Sequence, residues 1–434
     1  MSLPKDMRRA VGMVKKILRR RKLRQQVLDR LAERGPLPEG SYPIGVYFAD
    51  SEVNLYQMRQ WYAPLQELAK THPVLVLART AGGAHAMLAE SGLDVAFVPK
   101  VTDLEAIVAE QQLKLVFYVN QNTRNFQMMR YDRRWHVFIN HGESDKMYMT
   151  SNQFKAYDYA FVAGDAARAR LGRTLWDYDV AERTLPIGRP QADHIGGKAP
   201  FVPDDRMVVF YAPTWEGDRP TARYGSVASH GVRLVRELLS TGRHRVVYRP
   251  HPRSGVVDAA FGEAHREIIA MIEQANAADP AAGHVYDVSP GIGWQLAVSN
   301  VAICDISAMI YDRLATGLPL LVTQPIAETA EIDRNGYLGE CEWLAAADVP
   351  NIVDLLDRVV TDEVALDRLG RWSQWHFGDT RQGEPTRRFH AAIETLLARW
   401  DEWESRAAAP DAEHGAGVRP QPETRASEGD APEA

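Results

Sequence analysis

The chain has 434 residues, 45% hydrophobic and 25% charged, so it can bury a large core and exceeds one typical domain of about 100–200 residues. Its 51 Lys and Arg against 57 Asp and Glu give a net charge of −6, which offers no general reason to expect nucleic-acid binding. Cys304 and Cys341 are the only cysteines, and the sequence has no run of about 18 apolar residues and no signal-peptide pattern. We therefore expect neither a disulfide framework nor a spanning helix, and we expect a reducing cytoplasm.

Residues 1–35 predict a basic amphipathic helix. Ten of the residues from 5 to 24 are Lys or Arg, while Met7, Val11, Val14 and Leu18 recur at helical spacing. Such a helix can lie on an anionic membrane surface, or its apolar stripe can pack on its own domain. The pattern leaves both possibilities open.

From residue 41 to about residue 200, apolar strand-like runs alternate with helical patterns. The strand-like runs span residues 43–48, 74–77, 95–99, 114–118, 136–140 and 159–162. Helical patterns at residues 56–70 and 103–111 separate some of them. This alternation predicts a doubly wound parallel sheet in a Rossmann-like domain covering residues 41–200.

A polar stretch rich in Gly and Pro, residues 188–200, predicts a domain boundary near residue 200. A second series covers residues 201–375, with strands at 207–211, 245–248, 284–286, 301–304 and 319–322 and a late helix at 352–369. The sequence thus predicts an α/β protein with two tandem Rossmann-like, doubly wound domains facing a central cleft. A helix within residues 376–405 can cross back to the first domain, and residues 406–434, rich in Ala, Pro and Glu, predict a disordered tail.

Polar loops follow several predicted strands, which is where open parallel sheets bind ligands. His141 follows the run at 136–140, with Lys146 five residues on, and this pair can combine a proton acceptor with an anion-binding cation. In the second domain, His251 lies between two prolines, two residues after Arg249. A single strand-end histidine is more often an ordinary hydrogen-bonded residue, and Pro-His-Pro can simply form a rigid turn. One such histidine in each domain favours a shared site.

Three further loops carry hydroxyl groups and backbone amides that can meet phosphate oxygens. Thr214 follows a strand, and Ser289 and Ser307 precede predicted helices. Each has a structural alternative, a turn for Thr214 and plain helix capping for the serines. The sequence has no Gly-Lys-Ser/Thr loop and no three-glycine fingerprint after its first strand, which disfavours ATP hydrolysis and hydride transfer. No carboxylate cluster has metal-ligand spacing, so we predict neither a bound metal nor a cofactor.

Together these motifs resemble those of the CDP-glycerol glycerophosphotransferases, the teichoic acid primase and polymerase family. The resemblance covers about residues 40–325 and consists, in order, of Asn140-His141-Gly142 with Lys146, Gly188-Arg189-Pro190 with Asp193, Tyr211-Ala212-Pro213-Thr214-Trp215, Arg249-Pro250-His251-Pro252, and Asp305-Ile306-Ser307 with Tyr311-Asp312. It implies the GT-B fold and transfer of glycerol phosphate from CDP-glycerol to a hydroxyl of a lipid-linked acceptor. Residues 143–145 and Ala308 depart from the family's usual residues, which leaves the donor polyol and the acceptor open.

The resemblance implies that His141 is the base and that His251 lies near the donor diphosphate. We predict in-line phosphoryl transfer in which His141 takes the proton of the acceptor hydroxyl and CMP leaves. A protonated His251, Arg249 and the helix start at Ser307 are predicted to hold the diphosphate. Further substrate contacts are predicted for Lys146, Arg189, Thr214, Ser289, Asp305 and Asp312, although a solvated helix face explains Asp312 almost as well.

The partners implied are CDP-glycerol or a related CDP-polyol, a lipid-linked glycan or polyol-phosphate acceptor, and an anionic membrane surface. Nucleic acid is not among them. The implied location is the cytoplasm, peripheral to the inner face of the cell membrane. Two alternatives stay open: a GT-B enzyme acting on a nucleotide-sugar, as a glycosyltransferase or an epimerase, and a non-catalytic module whose cleft binds a nucleotide or a polymer.

Overall fold

Two parallel sheets, one of seven strands and one of six, organise the chain. The structure is a computed structural model that describes residues 5–142, 151–217, 219–289 and 291–408. Lys146 and the predicted tail beyond residue 408 lie outside these residues. Within them, no helix combines the length and the hydropathy needed to cross a bilayer. The predicted two-domain α/β architecture is confirmed.

The first sheet consists of short strands that are buried on both faces. They are β1 (Ile44–Phe48), β2 (Val74–Ala78), β3 (Asp94–Phe97), β4 (Leu115–Tyr118), β5 (Trp135–Phe138), β6 (Tyr159–Val162) and β7 (Thr184–Pro186). Their order is β3-β2-β1-β4-β5-β6-β7, and the pairings are parallel. Val46 aligns with Val76 on one side and with Phe117 on the other, and all three side chains are fully buried. Sheets covered on both faces give such continuous apolar strands.

Helices pack on both faces of this sheet. They are α1 (Lys5–Arg34), α2 (Tyr56–Arg59), α3 (Tyr62–Leu68), α4 (Ala81–Glu90), α5 (Val101–Glu110), α6 (Phe126–Met129), α7 (Asp165–Thr174), α8 (Val180–Arg183) and α9 (Pro190–Asp193). The helix predicted at 56–70 is two helices, and the Trp61 ring between them is buried in the core. The C-terminal part of α1 is held on the domain by buried Val27 and by Arg34, whose guanidinium donates to the carbonyl of Val95 at 2.8 Å.

The second sheet repeats the order of the first. Its strands are β8 (Met207–Ala212), β9 (His244–Tyr248), β10 (Val285–Tyr286), β11 (Val301–Cys304), β12 (Leu320–Thr323) and β13 (Trp343–Leu344), in the order β10-β9-β8-β11-β12-β13. The helices of this half are α10 (Val232–Ser240), α11 (Ala259–Ala278), α12 (Trp294–Val298), α13 (Ala308–Leu314), α14 (Ile352–Thr361) and α15 (Glu363–Phe377), followed by α16 (Glu384–Ala408). In each sheet the order reverses direction beside the first strand, β1 or β8, which is where such sheets open a binding crevice.

The strand before His141 is shorter than predicted. The apolar run at 136–140 suggested a strand to Asn140, but β5 ends at Phe138. Asn140 has a φ of 57° and its backbone cannot continue a strand. The indole nitrogen of Trp61 donates a hydrogen bond to the carbonyl of Asn140, which helps to hold this turn.

The last helices also differ from the predicted pattern. The single helix expected at 352–369 is divided into α14 and α15 at Asp362, whose extended backbone breaks the helix and whose carboxylate accepts from the amides of Val364 and Ala365. The last helix begins at Glu384 and returns to the first domain. Phe389 and Ile393 on α16 are fully buried in the core of the first domain.

Candidate active site between the domains

A cavity of about 750 Å³ lies between the two domains, near the carboxyl ends of strands from both sheets. Tyr56 and Arg189 line it from the first domain, and Arg249, Met309 and Asp312 line it from the second. Small-molecule sites are typically clefts of about 300–1,000 Å³. Three predicted site residues, Arg189, Arg249 and Asp312, are thus brought together. Neither His141 nor His251 lines this cavity, but the His141 ring packs on Tyr56, which does, and His251 follows the lining residue Arg249 by two positions.

Arg189 and Asp312 pair with each other across the cleft. A guanidinium nitrogen of Arg189 lies 2.5 Å from a carboxylate oxygen of Asp312, and each side chain is 14% exposed. Asp312 therefore does not belong to a freely solvated helix face. A ligand that contacts either side chain must share or replace this interdomain ion pair.

His141 is held as a neutral proton acceptor. Its Nδ1–H donates to the carbonyl of Val119 at 2.8 Å, which leaves the lone pair on Nε2. Burial lowers the pKa of His141, and the bond to Val119 offsets only part of that effect. The ring packs edge-on to Tyr56, with centroids 5.8 Å apart, and Tyr56 lines the cleft. This arrangement suits a base that receives a proton at Nε2.

His251 is held in the opposite tautomer. Its Nδ1 accepts from the backbone amide of Arg253 at 3.1 Å, so that Nε2 carries the proton and is a donor. Burial lowers the pKa of His251, as does the nearby charge of Arg253. Without a ligand, His251 is therefore neutral in this structure, and its protonation beside the donor diphosphate stays a prediction. A neutral Nε2–H can still donate to a phosphate oxygen.

The loop after β8 supports His251. The amide of His251 donates to the carbonyl of Pro213 at 3.1 Å, and the Trp215 ring stacks on the imidazole with centroids 6.3 Å apart. The guanidinium of Arg253 lies 3.8 Å over the same indole. The Pro-Thr-Trp and Pro-His-Pro motifs thus form one packed unit.

Arg249 is oriented by a buried polar network. It forms an ion pair with Asp287 and donates to the hydroxyl of Ser289 at 3.0 Å and to the Ser289 carbonyl at 3.0 Å. Asp287 is 6% exposed and also accepts from Gln295, which is fully buried. Burial raises the pKa of Asp287, but hydrogen bonds from Ser289, Arg249 and Gln295 outweigh burial and hold that pKa below its ordinary value. In this structure Ser289 therefore binds and orients the Arg249 side chain.

Asp305 is internal. It is fully buried, and its carboxylate accepts from the amide of Thr214 at 2.7 Å, from the amide of Ser226 at 3.0 Å and from the hydroxyl of Thr323 at 2.5 Å. Burial raises its pKa to about 6, in spite of these bonds. The substrate contact predicted for Asp305 is replaced by a structural role, since this carboxylate positions the loop that carries Thr214.

Ser307 caps α13, and its hydroxyl accepts from the amide of Met309 at 3.3 Å. This is the structural alternative that the sequence left open. Across the residues that the structure describes, no group of three or more His, Cys, Asp or Glu side chains is arranged to hold a metal ion.

Two supporting carboxylates were missed from the sequence. Asp287 holds Arg249, and Glu216, 6% exposed, accepts from the amides of Gly255, Val257 and Asp258 in the turn after His251. A signal existed for Asp287, which comes directly after β10 at the edge where the other site loops begin. Glu216 gave no such signal, because its partners are backbone amides about 40 residues away.

The fold is similar to those of a solved wall teichoic acid polymerase and a solved UDP-N-acetylglucosamine 2-epimerase. The wall teichoic acid polymerase TagF aligns with a TM-score of 0.52 and 13% sequence identity over 93% of this chain and 100% of that chain. A histidine-to-asparagine variant of TagF soaked with CDPG for 30 minutes gives 0.52 and 14% over 92% and 98%. A UDP-N-acetylglucosamine 2-epimerase gives 0.52 and 15% over 86% and 100%. No family model and no curated protein matches the chain. The GT-B fold is thereby confirmed, while identities this low leave the reaction to be argued from the residues.

Proposed function

We propose that this protein transfers glycerol phosphate, or a similar polyol phosphate, from a CDP-activated donor to a hydroxyl of a membrane- or lipid-linked acceptor in cell-surface polymer synthesis. The acceptor oxygen forms a bond to the phosphorus of the polyol phosphate, and the bond from that phosphorus to the oxygen of CMP breaks. The acceptor proton passes to Nε2 of His141, and CMP leaves. Catalysis of this kind consists mostly of positioning and charge stabilisation.

The complementary tautomers of the two histidines carry this proposal. His141 presents an acceptor at Nε2 because its Nδ1–H is committed to Val119, and His251 presents a donor because its Nδ1 is committed to Arg253. Phosphoryl transfer to a hydroxyl needs a base for the hydroxyl proton and a hydrogen-bond donor for the phosphate oxygens. The two domains of the GT-B cleft contribute one of these groups each.

The second-domain side of the cleft carries a cationic group that suits an anionic donor. Arg249 lines the cavity with its guanidinium fixed by Asp287 and Ser289, and it lies two residues before His251. Arg189 completes the groups that we assign to the donor, and Lys146, Thr214 and Ser307 stay predicted substrate contacts. The CDPG-soaked structure of TagF supports a CDP-activated donor for a protein of this fold.

Donor turnover tests the proposal directly. The purified protein and acceptor membranes are supplied with CDP-glycerol, CDP-ribitol or UDP-sugars, and the release of CMP or UDP is measured. We expect CMP from a CDP-polyol. Release of UDP alone would reject the phosphotransferase in favour of a nucleotide-sugar enzyme. Nucleotide binding without turnover of any donor would favour a binding module.

The pH dependence of the reaction reports on His141. Because burial lowers the pKa of His141, the neutral base persists below the ordinary histidine pKa of about 6.5. We expect kcat/KM to fall on acidification with an inflection below about 6.5, and histidine-selective NMR titration to assign that inflection to His141. An inflection clearly above 6.5, assigned to His141, would contradict the proposed neutral base.

Removing the charge of Asp287 should weaken donor binding. In Asp287→Asn, Arg249 loses its buried ionic partner, and we expect the KM for the donor to rise about tenfold with a smaller change in kcat, since a hydrogen bond to a charged group is worth about 1.5–3 kcal/mol. Steady-state kinetics measures both constants. Asp348→Asn, on an exposed surface position, is the matched control. An unchanged KM would contradict the role given to Asp287.

A further inference from the structure

A second, strongly cationic cavity lies on the first domain and shares no lining residue with the cavity between the domains. It has a volume of about 940 Å³ and lies between α1 and the loops that follow β1, β2, β3 and β4. Five arginines line it: Arg19, Arg20, Arg21 and Arg24 on α1 and Arg124 after β4. We call these residues and the space between them the arginine crevice.

The positive charge of the arginine crevice is largely uncompensated. Among the residues that line the crevice, Glu52 is the single acidic one, and its carboxylate pairs with Arg19 at 3.4 Å. The lining residues offer no second carboxylate to Arg20, Arg21, Arg24 or Arg124. Five arginines against one glutamate is an excess of four positive charges in a chain whose net charge is −6.

This charge arrangement is costly unless an anion binds. Arg20 and Arg24 are one helical turn apart, a spacing at which like charges repel each other and destabilise a helix. Apart from the ion pair between Arg19 and Glu52, α1 is held on the domain further along its length, by buried Val27 and by the bond from Arg34 to Val95. Arginine side chains gathered in this way fit the geometry of phosphate oxygens.

The position of the arginine crevice favours a ligand. Its floor is made by the carboxyl ends of four neighbouring strands, β3, β2, β1 and β4, where open α/β sheets bind ligands. Its walls are mixed, since Leu23 and Phe97 contribute apolar surface beside the arginines. Val53 at its edge is 78% exposed and Leu18 on α1 is 57% exposed, so the rim offers apolar contact as well as charge.

From these observations we infer that the arginine crevice binds a phosphate ester on the acceptor side of the enzyme. The ligand carries at least two negative charges, or one charge beside an apolar chain. It is either a phosphodiester unit of the polymer or the headgroup of an anionic lipid, and the two share the chemistry that the arginines recognise. The assignment of this ligand to the acceptor rests on the proposed function, whereas the binding itself does not.

Two pairs of substitutions on the same helix test the inference. Arg20→Ala with Arg24→Ala removes two charges from the crevice, and Lys22→Ala with Arg30→Ala removes two charges from exposed positions of α1 that do not line it. Binding of inorganic tripolyphosphate is measured by calorimetry. Binding of vesicles is measured by co-sedimentation, with phosphatidylglycerol–phosphatidylcholine vesicles compared with pure phosphatidylcholine. Circular dichroism verifies the fold of each variant.

We expect the crevice pair to weaken binding of at least one anionic probe about tenfold, and the control pair to change it by less than about twofold. An effect on tripolyphosphate identifies a soluble phosphate ester, and an effect on vesicles alone identifies a lipid headgroup. Equal weakening by both pairs, or no binding of either probe, would overturn the inference. The same measurements in His141→Ala keep this result separate from the proposed reaction, because a failed phosphotransferase assay leaves crevice binding intact.

Discussion

Replacing His141 with alanine is expected to lower CMP release from a CDP-polyol about 100-fold to 10,000-fold, the range that general-base assistance contributes. The physical reason is the loss of the Nε2 lone pair that the bond from Nδ1 to Val119 presents. The loss should fall on kcat, because the donor-binding groups around Arg249 remain in place. Steady-state and single-turnover kinetics with a CDP-polyol measure it.

His85→Ala is the control for this substitution, since His85 is a half-buried histidine on α4 that lines none of the cavities described above. It should leave kcat within about twofold of the parent. If His141→Ala keeps more than about a tenth of the activity, His141 is not the base, and another acceptor must be sought in residues 143–150.

Phe389→Ala should cost about 3–5 kcal/mol of folding free energy, the usual loss for a large aromatic removed from a core. Phe389 on α16 is fully buried, and its ring centroid lies 5.4 Å from that of Trp61, 6.3 Å from that of Phe117 and 6.0 Å from that of Phe161. Guanidinium unfolding followed by circular dichroism measures the change. Limited proteolysis should cut α16 earlier in the variant.

Trp403→Ala provides a matched aromatic deletion on the same helix. Trp403 is 57% exposed, and its loss should change the free energy of unfolding by about 0.5 kcal/mol or less. Similar effects of the two substitutions would mean that α16 lies on the surface of the first domain without completing its core.

The fold was predictable because its strands are buried on both faces. A run such as Val74–Ala78 is apolar at every position, and this pattern locates a strand of a parallel sheet without any partner being known. Boundaries were less predictable where one residue's backbone decides the outcome. Asn140 ends the strand before His141 through its left-handed conformation, and Asp362 divides a continuous apolar helical pattern through a local cap.

The candidate site was predictable as a set of loops, but the role of each side chain was not. Strand ends pointed to His141, His251 and Arg249, which lie in or beside the cleft. Burial decided the rest: Asp305 and Ser289 bind neighbouring protein groups, and the tautomer of His251 depends on the amide of Arg253. Contacts over such sequence distances, 91 residues between Thr214 and Asp305, leave no pattern in a single sequence.

The return of α16 has a consequence for synthesis on the ribosome. The carboxylate of Asp193, in the first domain, accepts hydrogen bonds from the backbone amides of Gly383 and Thr386 at the start of this helix. The Phe389 ring packs against Trp61. About 200 residues of the second domain are made between β7 and Phe389, which takes roughly 10–40 s at about 5–20 residues per second. The first domain must wait for that interval with an open apolar surface, so the half of the protein that is made first completes its core last.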